Sequence, residues 1–201
     1  MDRNASPARR FLAQGIFSLG LTLLAAGVSA GAAAAAPPDA KALIDALEDW
    51  GIEAVSQLVR EGANINASKL GDGTVLMVAA RRGDLAAVDR LIALGADVNA
   101  TARGDGTALI AAAGAGHLSV VKRLLTVGAR IDDIVSGDET ALISASRKGH
   151  LHVVRHLVEQ KADVNLGVAT PTGLWRTPLN QARTPAIRTY LQQQGALDRR
   201  P

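Results

Sequence analysis

The chain has 201 residues, room for one domain and a small appendage. It has no cysteine, which excludes disulfides, thiolate catalysis, zinc–cysteine sites and the acylated cysteine of a lipoprotein. Hydrophobic residues make up 48% but aromatics only 2%, so Ala, Leu, Val and Ile must fill the core, which suits thin, closely stacked helices. Three of the 22 basic and one of the 19 acidic side chains (Arg3, Arg9, Arg10; Asp2) lie in residues 1–35. That leaves 19 against 18, a near-neutrality that gives no reason to expect a nucleic-acid partner.

Residues 1–36 read as an N-terminal secretory signal. A short basic stretch ends at Arg9-Arg10, no residue from Phe11 to Ala36 is charged, and the centre runs apolar from Ile16 to Leu24. Val28-Ser29-Ala30 fits a small-x-small cleavage sequence, with the cut after Ala30. The same 26 uncharged residues would also span a bilayer as an uncleaved anchor. Either way the basic end stays inside and the rest crosses, and the membrane is met only through this segment. Arg9-Arg10-Phe11-Leu12 also resembles a twin-arginine export signal, although its flanks match poorly. The alanine-rich style is bacterial, so the expected destination is the periplasm, or the inner membrane facing it.

Residues 39–198 form the expected folded domain. Its first unit, 39–66, carries Lys41, Asp45, Glu48 and Asp49 on the side of a helix expected to be exposed. A second helix follows with Ile52, Val55, Leu58 and Val59. From there a 33-residue period sets in. It relates Thr74, Thr107 and Thr140, then Leu76, Leu109 and Leu142, then Gly83, Gly116 and Gly149. Leu85, Leu118 and Leu151 keep step, as do Val88, Val121 and Val154, and Leu91, Leu124 and Leu157.

Each period predicts one helix–turn–helix unit. Thr74 caps a helix of about two turns, whose Leu76, Ala79 and Ala80 form one stripe. Gly83 turns the chain, and Leu85, Val88, Leu91 and Ile92 line a second helix. Gly95 ends it in the left-handed conformation, and Asp97-Val98-Asn99 leads on. One such pair cannot bury its own apolar surface, so the units (67–99, 100–132, 133–165) must stack. In the last unit, 166–198, Thr177-Pro178 comes 37 residues after Thr140, four later than the period, with proline expected at the first helical position. Thr184-Pro185 breaks that unit, and Gln192-Gln193-Gln194 gives a polar outer face.

These residues resemble the ankyrin repeat, whose pattern runs Gly-x-Thr-Pro-Leu-His-x-Ala-Ala, Gly-His, Leu-Leu and Gly-Ala-Asp-Val-Asn. Here it reads Gly106-Thr107-Ala108-Leu109, Ala112-Ala113, Gly116-His117, Leu124-Leu125 and Gly95-Ala96-Asp97-Val98-Asn99. The resemblance implies an all-α solenoid of about five helix–turn–helix units joined by extended hairpin-like loops: an N-terminal cap, three regular repeats and a degenerate C-terminal cap. The sequence departs at the histidine slot (Met77, Ile110, Ile143) and at the proline slot (Val75, Ala108, Ala141). Lys161 replaces the glycine that ends a second helix, and a non-glycine residue held left-handed costs roughly 1 kcal/mol.

The resemblance further implies a non-catalytic protein-binding module whose contacts come from the hairpin tips and the exposed side of the first helices, on the concave face. Those slots fall on Ser68, Leu70, Thr101, Arg103, Ile134, Ser136 and Glu139 at the tips, and on Arg81, Arg82, Gly114, Ala115, Arg147 and Lys148 along the helices. Trp175, on the late loop, is either an exposed aromatic anchor or a cover for the end of the stack.

The competing readings have thin support. His152 and His156, four apart on one helix, would suit a metal, but no carboxylate partner is fixed by the sequence. Ser146 and His150 lack an orienting group and an oxyanion hole. Gly-Asp-Gly at 71–73 and 104–106 are turns before helix caps, with no strand expected ahead of them. We therefore expect no cofactor, no metal and no catalytic residue, and a monomer that binds another protein. A self-associating scaffold is the alternative, with a metal- or ligand-dependent enzyme further behind.

Overall fold

The computed structural model describes residues 39–102, 104–135, 139–170 and 172–197. The expected signal (1–36) and its cleavage point lie outside the described residues, as do two of the expected tip contacts, Arg103 and Ser136.

Helices come in pairs. α1 (Ala40–Trp50) and α2 (Ile52–Arg60) are followed by α3 (Val75–Arg82) and α4 (Leu85–Ala93), α5 (Ala108–Ala115) and α6 (Leu118–Thr126), and α7 (Ala141–Lys148) and α8 (Leu151–Glu159). α9 (Pro185–Gln193) is preceded by a single turn. Antiparallel hairpins lie between pairs: β1 (Ser68–Lys69) with β2 (Gly73–Thr74), and β3 (Val168–Ala169) with β4 (Trp175–Arg176). Ala102 and Gly106 make a lone bridge at the corresponding place. The sequence led us to expect no strand before Gly71-Asp72-Gly73, but β1 precedes that turn. It is only two residues long and folds straight back on β2.

The first helices are short because threonine starts them and glycine stops them. Thr74, Thr107 and Thr140 accept from the backbone N–H groups of Met77, Ile110 and Ile143 at 3.3, 3.2 and 3.2 Å. Gly83, Gly116 and Gly149 close the helices with φ of 74°, 83° and 91°. Ala79, Ala80, Ala112, Ala113 and Ala145 are fully buried between them. Side chains this small let α3, α5 and α7 pack into one layer, and among the described elements the most extensive contacts run along it. The second helices form the other layer. Val88, Leu91, Val121, Leu124, Val154 and Leu157 are fully buried between the layers.

At the N-terminal end α1 runs 11 residues, and its exposed side carries Lys41, Glu48 and Asp49. The C-terminal end departs from expectation. Pro178–Gln181 form only one turn, started by a reciprocal cap in which Thr177 Oγ1 accepts from Asn180 N (3.1 Å) and Asn180 Oδ1 accepts from Thr177 N (2.9 Å). Thr184-Pro185, expected to break the unit, instead starts α9: Thr184 caps Ile187 N at 3.3 Å, with proline in the first turn. Four extra residues in the loop are nearly offset by three missing from the first helix. Ile187, Leu191 and Gly195 thus fall 34 residues after Val153, Leu157 and Lys161, and α9 packs on α8.

Successive loops are stitched by a second series at the same period. Asn66 Oδ1 accepts from Asp97 N (2.8 Å), Asn99 Oδ1 from Arg130 N (2.9 Å) and Asn165 Oδ1 from Leu197 N (2.8 Å). Asn99 and Asn165 also donate through Nδ2 to the carbonyls of Gly128 and Gly195, at 3.0 and 3.2 Å. Asp132 fills the remaining slot. Its carboxylate accepts from Asp163 N at 3.1 Å, but it has no amide to donate. Burial pushes its carboxyl above the usual range, against the opposing pull of that hydrogen bond. Lys161, at the same joint, is held at φ 72°, as its slot requires, and it is the one non-glycine residue with positive φ among those described.

Candidate partner-binding face

The hairpins and the ends of the first helices share one side of the molecule. At its N-terminal end they enclose a cleft of about 410 Å³. Ile44 from α1 and Val78 from α3 contribute apolar wall. Asp45 and Glu48 from α1, Lys69 and Asp72 from the first hairpin, and Arg81 and Arg82 from α3 line the rest. The expected contacts Arg81 and Arg82 are therefore brought together here.

The charges in this cleft are largely paired. Lys69 meets Asp72, Arg82 Nη1 lies 3.7 Å from Glu48, and Lys41 meets Asp45 at the edge. The hydrogen bond with Lys69 holds the Asp72 carboxyl below its ordinary value and lifts the Lys69 ammonium. Arg81 Nη2 donates to the carbonyl of Asp72 at 2.9 Å, which fixes the guanidinium to its own hairpin. Sequence reasoning missed Ile44, Asp45, Glu48, Lys69, Asp72 and Val78. The signal for Lys69 was alternation: it sits between the expected tip residues Ser68 and Leu70.

Along the middle of the face the expected Gly114 and Ala115 are half-buried, and α5 carries no charge at all. Their smallness has a packing cause. A methyl group on Gly114 would lie 2.6 Å from Ser144 Oγ of α7. The expected pair Arg147 and Lys148 follows on α7, with Lys148 exposed.

Glu139 requires a correction. Expected at an exposed tip, it is only 7% exposed and lies beneath Arg147. Arg147 Nε donates to both of its carboxylate oxygens, at 2.9 and 3.1 Å, and Nη2 donates to Oε1. This hydrogen bonding raises the Arg147 pKa above its ordinary value. The reason is local. Gly73 and Gly106 occupy the equivalent slot with φ of 77° and 76° and have no side chain to place, whereas Glu139 carries a carboxylate that Arg147, eight residues on, draws inward.

Trp175 also differs from the exposed-anchor reading. Its indole is half-buried on Gly167, where an added methyl group would sit 2.6 Å from Nε1, and that N–H lacks a partner. Among the described residues the exposed aromatic is Trp50, 50% accessible at the end of α1. Of the remaining tip residues, Leu70 (84%) and Ile134 (48%) are apolar and exposed, and Ser68 and Thr101 are exposed polar positions.

The histidines have structural work on this face. His117 Nε2 lies 3.1 Å from the carbonyl of Arg81, and His150 Nε2 the same distance from that of Gly114, so each is placed to donate to the last turn of the preceding first helix. Their rings cover the glycines that end those helices. A methyl group on Gly83 would meet His117 Nδ1 at 2.5 Å, and one on Gly116 would meet His150 Nδ1 at 2.6 Å. Arg183 takes the third place in this series, its stem lying over Gly149. His152 Nε2 reaches the carbonyl of Gly116 at 3.0 Å, and His156 faces Glu159 at 3.9 Å, so these two rings do not converge. Ser146 is fully buried and donates to the carbonyl of Leu142 at 2.7 Å, so its hydroxyl proton is not directed at His150.

Residues 76–168, from α3 into β3, match the family model described as ankyrin repeats (3 copies). A search of curated proteins finds no match to the chain. Among the described residues no helix is long and apolar enough to cross a membrane.

Proposed function

Because this chain belongs to the ankyrin-repeat family, whose members generally mediate protein–protein interaction and are typically non-catalytic, we propose that it binds a partner protein in the bacterial envelope. The contacts come from the face formed by its hairpins and first helices. The observation that carries this reading is the convergence on one side of the cleft-lining Arg81 and Arg82, the uncharged Gly114–Ala115 step, the exposed apolar tips Leu70 and Ile134, and Arg147 and Lys148. Leu70, Ile134 and Lys148 on that side are exposed, whereas Val88, Leu91, Val121 and Leu124 between the helix layers are fully buried. Residues 1–36, with their basic start and 26 uncharged residues, support export to the periplasm.

Affinity capture from a periplasmic extract tests this. The wild type should recover a dominant partner, and the Arg81/Arg82/Arg147/Lys148→Ala variant should lose it while keeping the wild-type circular dichroism. Identical recovery by both proteins would remove this face from the function. Recovery of the chain itself as the dominant species, with light scattering showing an oligomer, would favour a scaffold formed by self-association.

A further inference from the structure

In successive repeats, positions 81, 114 and 147 read Arg, Gly, Arg. Both arginines are held by a residue that precedes their own helix, but in different ways. Arg81 is tied to a backbone carbonyl, in a cleft where neighbouring charges cancel. Arg147 is tied to a carboxylate that is itself buried. Burying a carboxylate is costly unless it is paired, and two other repeats fill this slot with glycine. The pairing uses Nε and Nη2 and leaves the Arg147 side chain 39% exposed, so the guanidinium is fixed in place while its Nη1 N–H groups make no hydrogen bond among the described residues. Lys148 stands beside it, exposed. Arg183, also exposed, lies over Gly149 at the end of the same helix. Neither Lys148 nor Arg183 forms an ion pair among the described residues, and Glu139 is the one described carboxylate that pairs with Arg147.

We propose that Arg147, Lys148 and Arg183 form a docking site for an acidic segment, rich in Asp and Glu, of the partner protein, with Glu139 as the residue that positions Arg147. This rests on the binding function proposed above and names its chemistry. A partner carboxylate takes the Nη1 edge of the Arg147 guanidinium, where planar N–H donors match its two oxygens. Lys148 and Arg183 supply further positive charge at the end of the same helix, and the neutralised N-terminal cleft gives the acidic segment no comparable attraction.

Titration of the purified full chain with short labelled peptides at physiological ionic strength tests it. A Glu-rich peptide should bind at least roughly tenfold tighter than Ser/Gly-rich or Lys-rich peptides, since complementary charge sets such preferences. The double variant Lys148→Glu/Arg183→Glu should abolish the preference. Arg90→Glu/Lys122→Glu, the same charge change on second helices, should leave it intact. Glu139→Gln separates positioning from summed charge, because it makes the site more positive yet frees Arg147. We expect the Glu-rich peptide to bind several-fold more weakly to it, with the fold intact by circular dichroism. Tighter binding to Glu139→Gln would overturn the positioning role. Equal binding of all peptides, or tighter binding of single-stranded DNA of the same length, would overturn the acidic-segment assignment. A cellular partner lost from Arg81/Arg82/Arg147/Lys148→Ala but retained by Lys148→Glu/Arg183→Glu would refute this inference and leave the binding function standing.

Discussion

Lys161 and Asp132 meet at one joint, and each is the wrong residue for its slot by the standard of the other repeats. Lys161 is held at φ 72°, where the equivalent residues are Gly62, Gly95, Gly128 and Gly195. The left-handed penalty of roughly 1 kcal/mol therefore falls on this one helix end. Asp132 accepts the hydrogen bond that Asn66, Asn99 and Asn165 accept, but it cannot return the amide donation that Asn99 and Asn165 make. Lys161→Gly and Asp132→Asn should each raise the melting temperature by about 3 °C, the shift expected for about 1 kcal/mol in a chain of this size. The second effect depends on pH. A carboxyl whose folded pKa is raised contributes stability that is complete below its unfolded value and lost as pH rises through the folded one. The gain from Asp132→Asn should thus be larger at pH 7 than at pH 4. Thermal melts of both variants at the two pH values check this, and a gain that grows on acidification would contradict it.

At the scale of elements, the period was legible because glycine, threonine and leucine recur for separable physical reasons: left-handed closure, capping and core filling. What the period did not reveal is that the Gly-His pair is split between repeats. His117 does not serve Gly116, its neighbour in sequence; it covers Gly83 of the repeat before. Contacts at 34 to 36 residues leave no local pattern, so this link was invisible until the helices were stacked. It predicts unequal costs at two glycines with similar φ. Gly95→Ala meets nothing within 4 Å and should cost only the left-handed penalty, about 1 kcal/mol. Gly83→Ala must also displace the His117 ring, and overpacking adds typically 1–3 kcal/mol. In a His117→Ala background the two costs should converge, a coupling that a double-mutant cycle by denaturant unfolding measures. Equal costs in the wild-type background would show that the ring moves freely. The last unit was misread for a related reason. A four-residue insertion is visible in the sequence, but the three-residue shortening of the helix after it is not, so Thr184-Pro185 looked like a break when it is a helix start.

The whole molecule is a stack in which each unit is held only by its neighbours, so its stability is a sum of joints and its surface is a row of replaceable positions. That architecture was readable from 33-residue spacing and apolar stripes. The proposed face was readable in part. Arg81, Arg82, Arg147 and Lys148 fall where their slots implied, while Glu139 and Trp175 turned inward. The difference lies in burial, which consensus slots do not encode: Glu139 has an arginine eight residues on to pair with, and Trp175 has a glycine across its hairpin to lie against. The cleft lined by Asp45, Glu48, Lys69 and Asp72 was missed because it is assembled from two units and a hairpin.

The central claim is that this chain meets its partner through the hairpin and first-helix face. Site-specific photocrosslinking in the intact cell tests it most directly, with the photoreactive residue placed at Ala115 on that face or at Lys122 on a second helix, one position per strain. The account predicts a discrete protein adduct from position 115 and none from position 122. The same adduct from both positions, or an adduct from position 122 alone, would contradict it.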